Sequence, residues 1–191
     1  MLSSINPLGE RARGQSFWVT VSWYVSGSAF GGLALGWVGG TLGSWLPAGD
    51  WRLAGVILAC LVGAALDISG QRPPSIHRQV DENWLVRYRG WVYGLGFGFQ
   101  LGLGVVTIVT TASVYAVVAI SVLIGSSTFG ALIGGIFGLA RSLVIIRVAR
   151  VRDPGSLRHV MRHLQTGLPV AVGLAIGAQL LTVLAASWAL L

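Results

Sequence analysis

Charged residues divide this chain into long apolar runs. No charge falls between Arg13 and Asp50, a run of 36 residues. A membrane-crossing helix needs only about 20. A first helix is expected near 16–40, followed by a turn over 41–50 that contains Trp45, Pro47 and Gly49. Trp18, Trp23, Tyr24, Trp37, Trp45 and Trp51 gather toward its ends, as interfacial aromatic residues do. Arg52 and Asp67 enclose 14 apolar residues. Counting Asp67 inside gives a second helix over 51–69. From Trp91 to Gly125 there are 35 residues without a charge. As one straight helix they would measure about 52 Å, against a hydrocarbon core of about 30 Å. The expected third helix, 91–124, must therefore tilt, kink or break. It opens on Gly94, Gly96, Gly98, Gly102 and Gly104, a poor helix composition. Further on it carries Thr107, Thr110, Thr111 and Ser113, whose hydroxyls can satisfy freed backbone groups. The pattern predicts a kinked or discontinuous helix, with a long tilted one as the alternative. A fourth helix is expected over 127–149 and a fifth over 166–190.

The loop charges agree with this threading. The tail with Glu10, Arg11 and Arg13 is net +1, the loop 71–90 net +2, and the segment 147–165 net +4. The alternate connections are nearly empty of charge. Five helices with the N-terminus in the cytoplasm put 11 arginines inside and one outside, leaving Arg141 in the membrane. That satisfies the positive-inside rule. The fold class expected is all-α, a polytopic integral membrane protein in one domain over 1–191, with cytoplasmic loops 71–90 and 150–165. The location expected is the cell inner membrane, multi-pass. Residues 1–14 read as a polar tail without the apolar core of a signal peptide.

Composition supports the same class. The chain is 54% hydrophobic and only 10% charged, where a soluble domain carries about a quarter. Its 28 glycines do not follow a collagen period, and only 6 prolines accompany them. All 13 basic residues are Arg. They lie between uncharged stretches, which favours cytoplasmic loops over a nucleic-acid surface, so no nucleic-acid partner is expected. Anionic lipids at the cytoplasmic face are the expected partners of those loops. The single cysteine, Cys60, excludes an internal disulfide and reads as a buried small hydrophobe.

Glycines also recur four residues apart: Gly32, Gly36 and Gly40, with Gly27 and Gly31 beside them; Gly130, Gly134 and Gly138; Gly173 and Gly177. Such GxxxG rows let helix backbones approach closely. Packing within the chain is the first expectation. The number of rows leaves room for a homo-oligomer or a membrane-complex partner.

Candidate chemistry is sparse. Arg141 lies about six residues, or about 9 Å, from Arg147. Its guanidinium either snorkels to the inner interface or stays buried beside an acid. Asp67 is the partner expected for an Asp67–Arg141 ion pair. Gln100 either bridges helices or lines a polar cavity with Thr107, Thr110 and Thr111. Gln100, Thr107, Thr110, Thr111 and Arg141 are thus the candidate substrate-binding residues. His159 and His163, four apart, share a helix face but lack a third metal ligand, so a basic lipid-facing segment is preferred. Ile76, Val80, Trp84, Leu85 and Tyr88 suggest an interfacial helix in the 71–90 loop. No nucleophile motif, HExxH or Walker loop is present. No catalytic residue, metal or cofactor is expected, and the chain does not read as an enzyme.

The segments GWVYGLGFGFQLGLGVVTIVTTASVY (90–115), FGALIGGIFGLARSL (129–143) and WVTVSWYVSGSAFGGLALGWVGG (18–40) resemble the membrane domain of the DsbD/CcdA thiol-electron transporters and the wider LysE-type exporter superfamily. That family has two inverted three-helix repeats, with a cysteine at the broken point of the first and fourth helices. Here Val106-Thr107 stands near the expected fourth-helix cysteine, and the first helix is missing, so no thiol relay carries over. The resemblance implies a discontinuous helix at a midplane cavity. The functional expectation is a small transporter or exporter-like protein for a small solute, an anion if Arg141 is free to attract one. The alternatives are a non-catalytic accessory or assembly subunit of a larger membrane complex and, third, a redox partner of another chain.

Overall fold

The computed structural model describes residues 5–70, 83–104, 111–151 and 153–190. Among these the fold is all-α. A short α1 (Pro7–Ala12) precedes the long α2 (Phe17–Ser44) and α3 (Trp51–Ile68). After α4 (Trp84–Arg87) come α5 (Gly90–Leu103), α6 (Ser113–Leu123) and α7 (Ser127–Ser142). A 3₁₀ segment (Leu143–Arg150) leads to α8 (Pro154–Thr166) and α9 (Leu168–Trp188).

Three stretches are long and apolar enough to cross a membrane: Trp51–Ile68, Ser127–Ala149 and Gly155–Trp188. Five were expected. The difference has two physical causes. The run 91–124 is divided between α5, of 14 residues, and α6, of 11, each shorter than a bilayer requires. α2 has 28 residues, but its many Gly, Ser, Thr, Trp and Tyr residues lower its transfer hydropathy.

α2 is the central helix, packed mainly on α5 and α7. Glycine makes both contacts possible. On one side a Cβ added at Gly32 or Gly36 would collide with the carbonyl oxygen of Gly134 or Gly130 on α7. On the other, Gly27 and Gly31 lie against the carbonyls of Leu95 and Phe99 on α5. α5 answers with Gly94, Gly98 and Gly102, pressed onto the carbonyls of Thr20, Tyr24 and Ser28. These three belong to the stretch read as poor helix. They are four residues apart and form a packing face of an intact helix. Backbones this close gain dispersion contacts. Ser28 Oγ adds a bond to the Gly138 carbonyl at 2.7 Å.

The glycine faces of α2, α5 and α7 are therefore occupied within one chain, and they give no reason to invoke a homo-oligomer. The shorter row on α9 behaves differently: a Cβ at Gly173 or Gly177 would meet nothing within 4 Å. α9 packs chiefly on α3, around Cys60, Val56 and Ala186.

The expected polar tail is folded. Asn6 caps α1 by accepting from Gly9 N at 2.9 Å, and Pro7 occupies its first turn, a favourable start. Ile5 and Glu10 are buried. Of the interfacial helix expected around Ile76–Tyr88, residues 71–82 lie outside the described residues. Trp84 and Leu85 dock on the bundle instead of facing lipid. Leu85 is buried, and the Trp84 and Phe97 rings lie 6.2 Å apart, stacked.

Candidate functional site: a helix break held by opposite charges

α5 ends where Gly104 takes a left-handed conformation, φ 70°. A side chain there would be strained. It would also crowd Val114 Cγ1 at 3.0 Å and Arg141 Nη1 at 3.1 Å. Residues 105–110, which include Thr107 and Thr110, lie outside the described residues. α6 resumes at Ser113.

Each end of this break leaves backbone groups that need partners. The last carbonyls of α5 carry the negative end of its dipole, and the first amides of α6 the positive end. Arg141, on α7, donates from Nη1 to the Leu101 carbonyl at 2.9 Å. Its guanidinium carbon lies 5.5 Å from the Phe137 ring centre. Asp67, on α3, accepts from Ala112 N at 2.6 Å. A cation thus meets the negative helix end and an anion the positive one.

Of the two residues expected as a pair, Asp67 bonds the Ala112 amide and Arg141 the Leu101 carbonyl. Gln100 is half-buried beside Leu101, so it stands at the Arg141 end. Thr111 stands at the Asp67 end, where its hydroxyl bonds that of Ser113 across Ala112. Among the described residues, the candidates therefore fall into two groups, one at each side of the break.

Sequence reading missed a further member. Gln179 on α9 is 4% exposed and donates from Nε2 to Asp67 Oδ2 at 3.1 Å. Its Oε1 is buried without a hydrogen-bond partner, against Gly63, where a Cβ would collide with it. Asp67 therefore ties α3, α6 and α9 together. A lone Gln in the uncharged run 166–191 was the available signal, since a buried amide must find partners.

Two other polar clusters also went unread. Arg52 turns back on α2, donating from Nη2 to the Gly43 carbonyl at 2.9 Å and from Nε to Pro47 O at 3.0 Å. It repeats the logic of Arg141, a cation on helix-terminal carbonyls. At the other end of α2, Glu10 accepts from Thr20 Oγ1 at 2.7 Å and from Tyr93 Oη, and pairs with Arg13 Nη2 at 2.6 Å. Burial lowers the Arg13 pKa, but the hydrogen bonds with Glu10 and Tyr93 outweigh it, and the net shift is upward. Gln15 accepts from Gly90 N at 3.1 Å, so the α1–α2 corner is fastened to the start of α5.

No family model matches the chain. No solved structure matches it either. Three curated proteins are similar to it, each named methylamine utilization protein MauF. The protein from Paracoccus versutus is 31% identical over 160 residues, 80% of this chain and 58% of its own length. That from Methylophilus methylotrophus is 33% identical over 163 residues, 80% of this chain and 56% of its own. That from Methylobacillus flagellatus is 32% identical over 124 residues, 64% of this chain and 44% of its own. The chain thus spans about half the length of these relatives.

These likenesses correct the expected kinship with DsbD/CcdA membrane domains and LysE-type exporters. The shared features were glycine-rich apolar helices with a break, which many membrane proteins contain. The transporter reading falls with that kinship. Its two charged residues have backbone partners, Leu101 O and Ala112 N. The names of the relatives state neither transport nor subunit assembly. What the chain is similar to, over four-fifths of its length, is the MauF proteins of methylamine utilization.

Proposed function

We propose that this chain acts in methylamine utilization as a multi-pass membrane protein in a supporting, non-catalytic capacity. The observation that carries this reading is the 31% identity to the Paracoccus versutus MauF over 160 residues. The fold is compatible with that role. Its intramembrane charges are engaged with helix ends, and its glycine faces hold α2, α5 and α7 at a fixed spacing.

The proposed topology has five crossings with the N-terminus in the cytoplasm: α2, α3, the broken pair α5–α6, α7 and α9. The positive-inside rule supports it, and the proposed location is the inner membrane. In this arrangement the break lies at membrane depth. The helix ends that flank it need protein partners at that depth, and Arg141 and Asp67 supply one to each.

The test is growth. Disruption of the gene in its host should abolish growth with methylamine as sole nitrogen source and leave growth on ammonium unchanged. Equal growth on both would overturn the proposal.

A further inference from the structure

The segment 147–165, cytoplasmic in the proposed topology on which this inference rests, carries five arginines against Asp153. The fold gives part of this charge a shape. Between the 3₁₀ segment and α8 lies a cleft of about 400 Å³, lined by Ile146, Arg147, His159, Val160, His163 and Leu164. The two imidazoles sit edge to face, 5.9 Å between centres. Asp153, the acid of this segment, is engaged elsewhere, since its Oδ1 accepts from Ser156 N at 2.8 Å at the start of α8.

We propose that this cleft binds the phosphodiester headgroup of an anionic phospholipid. The donor set matches that group. Arg147 offers a planar fork suited to two phosphate oxygens. Each histidine offers at least one ring N–H, whichever tautomer it holds. A phosphodiester presents two non-bridging oxygens and one negative charge to meet them.

The rest of the lining selects a lipid over free phosphate. Ile146, Val160 and Leu164 are of no use to a free anion, but they suit the glycerol and the first acyl carbons. Leu143, Val144 and Ile146 are exposed on the neighbouring surface, and beyond Gly167 α9 continues with exposed Leu168 and Val170. The cleft therefore stands near where the apolar α9, Leu168–Trp188, meets the basic segment, which in the proposed topology is the level of the lipid headgroups. Phosphatidylglycerol, with no cationic group, fits the surrounding arginines. Phosphatidylcholine brings a quaternary ammonium against them.

The proposal is tested by native mass spectrometry of the full chain in detergent. The probes are phosphatidylglycerol, phosphatidylcholine and inorganic phosphate. The wild-type chain should retain one phosphatidylglycerol in preference to phosphatidylcholine, and millimolar phosphate should not displace it. Arg147→Ala combined with His159→Ala and His163→Ala should weaken retention by about tenfold or more, the scale of a lost charge-assisted contact. Arg158→Ala removes the same charge outside the cleft and should leave retention near wild type. Arg147, His159, His163 and Arg158 are exposed, so these variants should melt as the wild type does without lipid. Equal retention of the two lipids would overturn the proposal, as would a loss with Arg158→Ala matching that of the combined Arg147→Ala, His159→Ala and His163→Ala variant. Displacement by inorganic phosphate would overturn it too, by reassigning the cleft to a free anion.

Discussion

At the residue scale, the fold depends on side chains that complete helix ends and on glycines that have no room for a side chain. Gly36 illustrates the second. An added Cβ would strike the Gly130 carbonyl, backbone that cannot rotate away, so Gly36→Ala must separate α2 from α7. Overpacking of this kind costs about 1–3 kcal/mol. Gly173→Ala, where the space is open, should leave melting in detergent unchanged; equal losses for the two would refute the packing described. Asp153 gives a pH-dependent case. Its carboxyl is held below the ordinary range, chiefly by the backbone hydrogen bond from Ser156; desolvation opposes this, and the Ser156 hydroxyl and the Gly155 amide add to the lowering. Because the folded value is depressed, the support for α8 is present above the unfolded value of about 3.9 and is lost as pH falls through the folded one. The Ser156 amide proton should titrate with a midpoint below that value. A midpoint at or above it would remove the capping interaction.

At the element scale, α1 and the α5–α6 break are the informative cases. α1 is short and is held through Glu10, whose carboxylate serves Thr20, Tyr93 and Arg13 together. Hydrogen bonds to a charged group are each worth about 1.5–3 kcal/mol. Glu10→Ala should release α1 as a local opening. Trypsin should then cut faster at Arg11 and Arg13, while the rest of the chain melts little changed. Unchanged cleavage would mean that Glu10 does not fasten α1.

What could be read of these elements in advance followed from periodicity. Uncharged runs marked α2, α3, α7 and α9 as apolar helices, because burying a charge in lipid is costly. The break within 91–124 was foreseen from length, since no straight helix of that size matches a bilayer. The face made by Gly94, Gly98 and Gly102 was hidden by Gly96 and Gly104 between and after them. Alternation in the sequence concealed a four-residue period. The partners of Asp67 and Arg141 were out of reach for a different reason. A sequence displays opposite charges at similar depth, but not the backbone amide or carbonyl that stands nearer to each.

At the scale of the whole molecule, a central helix is gripped on two sides by glycine faces. The helix beside it is interrupted, and charges from α3 and α7 complete the interruption. This arrangement engages Asp67 and Arg141 with the two helix ends. A complementary charge at a partly buried helix end contributes up to about 2 kcal/mol. Asp67→Asn and Arg141→Gln should therefore each lower stability, by acting on separate helix ends. The most direct test is a double-mutant cycle of these two substitutions, read by unfolding in mixed detergent micelles. Independent caps predict losses that add to within about 0.5 kcal/mol. A coupling energy well above that, of about 1 kcal/mol or more, would show that Asp67 and Arg141 act on each other, and would contradict the account of a break held from its two ends.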